Sequence, residues 1–153
     1  MNIENVNKAI AVMERVRARG DRVDMRDWRE YPFEYMQEPA RSEEDLHTCG
    51  TAACFAGWVA VSSEWVEDGG TATRAGCPKM PGKSGVRAVA DWLGMEYMEC
   101  AFLCATTGAK AYASRLVYPK VAGVVVDIDA EQVLAALYRL RDTGTVYIKE
   151  PAQ

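Results

Sequence analysis

A chain of 153 residues, 49% hydrophobic and 26% charged, is the size of one ordinary domain and has enough apolar side chains for a single core. Its 18 Lys and Arg against 22 Asp and Glu give a net charge of −4, which argues against a protein built mainly to grip a phosphate backbone, since that affinity comes from massed cations. Five irregularly spaced cysteines point to reduced thiols, and the opening MNIENVNKAI has neither a charged leader nor a continuous apolar run, so a cytoplasmic protein with no membrane contact is expected.

Val6, Ile10, Met13 and Val16 predict an amphipathic helix over about residues 3–18, with Gly20 as its stop. The arginines that follow, at 15, 17, 19, 22, 26 and 29, are interleaved with Asp21, Asp24, Asp27 and Glu30. Six cations against four acids leave +2, the pattern of a solvated, ion-paired surface rather than a nucleic-acid stripe. Residues 23–40 hold Trp28, Tyr31, Phe33 and Tyr35 between Pro32 and Pro39, which resists a long helix and reads as an irregular aromatic cover or binding groove. A short acidic turn, Ser42 to Asp45, leads into His47.

The stretch HTCGTAACFAGWVAV, residues 47–61, reads as the start of a central buried helix over residues 51–65. Thr51 fits its N-cap, and Cys54, Trp58, Val61 and Trp65 share one face. Residues 67–84, with four glycines and two prolines, read as a long exposed loop. Ser84 fits the cap of a helix that Gly94 ends, and a second helix is expected over residues 95–106. Short strands are expected near residues 123–128 and 145–149. Between them Asp129 and Gln132 form a capping box for a helix that carries Val133, Leu134, Leu137 and Leu140 and stops at Gly144. The expected fold is therefore mainly α: one compact domain over residues 1–153, about five helices around the 51–65 helix, with at most a two-stranded β element near the C-terminus.

The strings VDMRDW (23–28), CGTAACFAGW (49–58), ADWLGM (90–95) and LVYP (116–119), with a last helix ending in DTG (142–144), together resemble a family of small, uncharacterised proteins of bacteriophages and bacterial genomes. The resemblance covers about residues 23–145, and CGTxxCxAGW is its most specific part. It implies a phage origin and carries over no catalytic residue.

Three chemical readings compete with plain packing. If the chain before Thr51 is extended, Asp45, His47 and Cys49 alternate onto one side as acid, base and thiol nucleophile beside a helix N-terminus, the arrangement of a cysteine-dependent enzyme. Cys49, Cys54, Cys100 and Cys104 form two pairs with loose zinc spacing. Residues 86–103 have the outline of a helix-turn-helix, but Glu96 and Glu99 stand where a DNA reader needs basic or amide side chains.

The leading expectation is a non-catalytic interaction module that binds a host or phage protein. Its binding residues would be Trp28, Tyr31, Phe33 and Tyr35 with the acidic surface nearby, or the 67–84 loop. No cofactor, metal or nucleic acid is expected.

Overall fold

The computed structural model describes residues 1–25, 42–48, 52–73, 75–105, 116–118 and 128–148. Among them the chain is mostly helical, with one small antiparallel sheet. The helices are α1 (Ile3–Arg19), α2 (Glu43–Thr48), α3 (Phe55–Ala60), α4 (Ser63–Glu67), α5 (Val86–Leu93), α6 (Tyr97–Leu103) and α7 (Ala130–Thr143). The strands are β1 (Thr71–Ala72), β2 (Pro78–Met80) and β3 (Lys83–Ser84). None of these helices is long and apolar enough to cross a membrane.

The two long helices follow from local signals. In α1 the Asn2 side chain accepts from the Asn5 N–H at 3.3 Å, and Gly20 closes the helix in the left-handed region at φ 70, which a Cβ would disfavour. In α7 the expected capping box is present: Asp129 accepts from the Gln132 N–H at 2.9 Å, and the Gln132 side chain accepts from the Asp129 N–H at 2.9 Å. Asp129→Ala removes one of these bonds and is expected to lower stability by about 1 kcal/mol in urea denaturation. The two helices pack against each other through Val6, Ile10, Met13 and Val16 on α1 and Val133, Leu134, Leu137 and Leu140 on α7, all buried in one core.

The central stretch is buried as its composition implied, with every residue from Ala52 to Ser62 removed from solvent, but it is not one helix. The Ala53 N–H donates to the Arg22 carbonyl at 3.4 Å, and its own carbonyl accepts from the Asp24 N–H at 3.1 Å, an isolated bridge to Val23. With its backbone engaged there, Ala53 is not available to an α-helix. The helix begins at Phe55 with Cys54 as N-cap, which corrects the expected start at Thr51; Thr51 itself lies outside the described residues. A second break falls at Ser62, which is extended at ψ 151. Its hydroxyl donates to the Val59 carbonyl at 2.8 Å and accepts from the Trp65 N–H at 3.2 Å, ending α3 and capping α4 with one side chain.

The segment read as a long loop holds the sheet instead. β1 pairs with β2 in the register Thr71↔Lys79, and β2 with β3 in the register Lys79↔Ser84. Pro81 and Gly82 join β2 to β3, with Gly82 at φ 76, the combination of a type II turn. Because Ser84 is engaged in β3, the residue before α5 is Gly85, not Ser84, and it brings no side-chain cap. Of the β element expected near the C-terminus, only one side falls mainly among the described residues. Thr145 to Ile148 is not a strand and is tied back by an Ile148 N–H to Leu116 carbonyl bond of 2.9 Å, and residues 119–127 lie outside the described residues.

Gly94 ends α5 at φ 63, and a Cβ there would lie 2.7 Å from the Asn2 backbone nitrogen. That close approach lets the Asn2 N–H reach the Leu93 carbonyl at 2.9 Å, while the Asn5 amide reaches the Trp92 carbonyl at 2.8 Å. Gly94→Ala combines strain and overlap, and an expected loss of about 1–3 kcal/mol is measurable by thermal unfolding.

Candidate functional site

Residues 43–48 are helical, which corrects the extended geometry that would have aligned Asp45, His47 and Cys49. On a helix, positions two apart do not share a face, so Asp45 is not the acid for His47. Asp45 is exposed, with its N–H on the Ser42 hydroxyl at 3.2 Å. The carboxylate that meets His47 comes from the residue after the α1 cap: His47 Nδ1 lies 2.6 Å from Asp21 Oδ1. Asp21 is held by its N–H on the Val16 carbonyl at 3.0 Å. Its side chain is 9% exposed, and the other carboxylate oxygen, Oδ2, is buried without a hydrogen-bond partner among the described residues. When the ring is neutral this contact places the proton on Nδ1 and leaves Nε2 as an acceptor, the tautomer a general base needs. Cys49, Trp28, Tyr31, Phe33 and Tyr35 lie outside the described residues.

The remaining thiols of the zinc reading are core side chains. Cys54 accepts the Gly57 N–H on its sulfur at 3.4 Å, and burial pushes its thiol up to about 12. Cys100 and Cys104 sit with their sulfurs 4.0 Å apart. The Cys104 thiol is raised well above the usual range, first by that contact and then by burial. Buried in the core, these thiols pack as small apolar side chains, and among the described residues no three ligating side chains group as a metal site.

The α5–α6 pair carries a distribution of charge unsuited to phosphate. Asp91, Glu96 and Glu99 line a cleft of about 500 Å³ with Met1 and Gly144. Glu99 is committed within the chain: it accepts from the Val146 N–H at 2.8 Å and from the Thr145 hydroxyl. A helix-turn-helix would bring this acidic edge against DNA, where it would repel the backbone.

The opposite charge gathers on the other side of α5. A cleft of about 760 Å³ is bounded by β2, the Pro81–Gly82 turn, β3, the start of α5 and Tyr97 at the start of α6. Lys79, Lys83 and Arg87 line it together with Met80, Val86 and Tyr97. Lys83 is ion-paired with Asp91, and the Arg87 guanidinium lies 5.5 Å from the centre of the Tyr97 ring, a cation–π contact that keeps its charge on the ring face. The three cations recur every fourth residue along KMPGKSGVR, but a hairpin rather than a helix brings them together. Beside the cleft, Tyr97 and Met98 are 47% and 54% exposed.

This geometry defines a mainly helical protein with a small β-meander and two surface features, a carboxylate–imidazole pair and a cationic cleft. Comparison with known proteins finds no matching family model, no matching curated protein and no matching solved structure, so the resemblance carried by CGTAACFAGW gains no support from them.

Proposed function

We propose that this chain is a non-catalytic, phage-related interaction module that acts in the cytoplasm and docks a host or phage protein in the cleft between β2–β3 and α5–α6. The observation that carries the reading is the cleft itself: an apolar floor of Met80, Val86 and Tyr97 with cations at its rim, beside the exposed Tyr97 and Met98. Apolar centres with polar rims are the usual anatomy of protein interfaces, and aromatic, Met and Arg side chains are enriched there. The test is affinity capture from a lysate of the cells in which the protein is made, with the intact chain and a Tyr97→Glu, Met98→Glu variant side by side. A partner held by the first and lost by the second supports docking at the cleft. Retention by both would move the docking surface elsewhere, and no specific capture by the intact chain would remove the reading.

A second reading, a cysteine-dependent enzyme with Cys49 as nucleophile, is favoured by the Asp21–His47 pair, since a carboxylate on Nδ1 is how a histidine base is oriented. It predicts that Asp21→Asn slows alkylation of Cys49 by iodoacetamide about three- to tenfold near neutral pH, read by peptide mass spectrometry. An unchanged rate would leave the pair a structural tie between α1 and α2.

A further inference from the structure

We infer that the cationic cleft receives an acidic peptide segment in which carboxylates alternate with apolar side chains, the carboxylates seated on Lys79 and Arg87 and an apolar side chain on Met80, Val86 and Tyr97. This rests on the proposed docking reading and names the chemistry of the docked partner.

The charges on the cleft are not equally available. Lys83 is already held by Asp91, so a ligand reaching it competes with an intramolecular carboxylate. Lys79 and Arg87 are exposed, and among the described residues neither makes an ion pair. Two cations without a carboxylate partner among the described residues, one of them resting on the Tyr97 ring, match one or two carboxylates, not an extended polyanion. Beyond the cleft the chain is net acidic, and Asp91, Glu96 and Glu99 line the neighbouring cleft past α5, so a longer run of phosphates would be repelled at its ends.

The apolar part selects among small anions. Met80 and Tyr97 are partly exposed in the cleft, and Val86 forms its buried base, a surface that gains nothing from a bare phosphate but is covered by a leucine- or phenylalanine-sized side chain. The cleft, about 760 Å³, is open to solvent and wide enough for several side chains to lie across it. Gly85 brings no side-chain oxygen to the start of α5, so the positive end of that helix adds to the attraction for a carboxylate beside Arg87.

The experiment uses fluorescein-labelled, end-capped hexapeptides with the intact chain, followed by anisotropy at low and physiological salt. The probes are alternating glutamate–leucine, alternating lysine–leucine and alternating glutamate–serine, with inorganic phosphate as a competitor. The glutamate–leucine peptide is expected to bind, to weaken with added salt, and to lose about tenfold or more in affinity to the Lys79→Glu, Arg87→Glu double variant, whose fold is checked by circular dichroism. Met80→Ser is expected to weaken it while leaving its salt dependence intact. Equal binding of the lysine–leucine peptide would overturn the charge assignment, and equal binding of the glutamate–serine peptide would overturn the apolar one. Full displacement by millimolar phosphate would make this a small-anion site and overturn the peptide assignment. The same double variant is carried through the affinity capture. If all peptides fail while capture is lost in that variant, the acidic-peptide chemistry falls and docking at the cleft stands. If capture survives the charge reversals but is lost with Tyr97→Glu, Met98→Glu, the acidic-peptide chemistry falls and docking at the cleft stands; if capture survives both variants, both fall.

Discussion

Replacing Trp65 by alanine is expected to lower the unfolding free energy by about 3–5 kcal/mol, the cost of deleting a large aromatic side chain from a core that cannot close the gap. Trp65 is fully buried, and its ring meets Trp92 edge-to-face at 5.4 Å and 77°. Its Nε1–H donates to the Thr71 carbonyl at 3.0 Å, so the same side chain that fills the core also anchors the first strand of the sheet. A Cβ at Gly70 would overlap the indole, which is why glycine leads the chain from α4 into β1. Trp65→Phe keeps an aromatic ring but loses the donor, leaving the Thr71 carbonyl without it, and is expected to cost about 1–3 kcal/mol. Urea denaturation followed by circular dichroism measures both. A loss under about 1 kcal/mol for the alanine variant would mean that α4 and β1 are not part of the cooperative core.

The helices that were legible in the sequence are those whose signals are local. Asp129, Gln132 and Gly144 fix α7 within its own length, and Val6, Ile10, Met13, Val16 and Gly20 do the same for α1. The 51–65 stretch reads as one helix because what interrupts it is not local. Its start is displaced by the Ala53 bridge to Val23, thirty positions earlier in the chain, and its middle is broken by a serine whose hydroxyl chooses capping over helix continuation. The β-meander left little trace, since strands of two or three residues are too short to show alternation, and Pro78, Pro81 and Gly82 read as loop. The candidate sites follow the same rule. The histidine was visible and its acid was not, because Asp21 and Asp45 are equally plausible by composition and only the docking of α2 against the end of α1 decides between them. The cationic cleft needed the hairpin to be known first. Trp28, Tyr31, Phe33, Tyr35 and Cys49 lie outside the described residues.

The second large effect is expected at Arg15, where one guanidinium joins three helices. Its Nε and Nη2 donate to Glu43 of α2 at 2.9 and 2.6 Å, and its Nη1 and Nη2 donate to Glu64 of α4 at 2.8 Å each. The carboxylates are shielded, with side chains 11% and 18% exposed, whereas the arginine is 35% exposed. Arg15→Ala leaves two half-desolvated carboxylates around one empty position. Breaking a buried pair costs about 3–5 kcal/mol, and solvent reaching this one reduces the expectation to about 2–3 kcal/mol at pH 7. The pH dependence separates this from simple loss of packing. In the intact chain burial raises the Glu64 carboxyl but the Arg15 hydrogen bonds outweigh it, holding it below the usual carboxylate value. Asp68, bonded by Lys8 and Trp92, is lowered as well. Groups with lowered folded-state values give their full stabilisation above the unfolded-state value near 4 and lose it as pH falls through the folded-state value, so the intact protein is expected to weaken on acidification below about pH 4. In Arg15→Ala the sign at Glu64 reverses. With the cation gone, the burial that raises the Glu64 carboxyl is no longer opposed by Arg15, and the variant should regain stability as pH falls from 7 to 5 while the intact chain changes little. Urea denaturation of both proteins at pH 7 and pH 5 gives the result directly: the difference between them should shrink by about 1 kcal/mol or more. A difference that stays the same at the two pH values would mean that the arginine acts through its hydrocarbon stem rather than its charge.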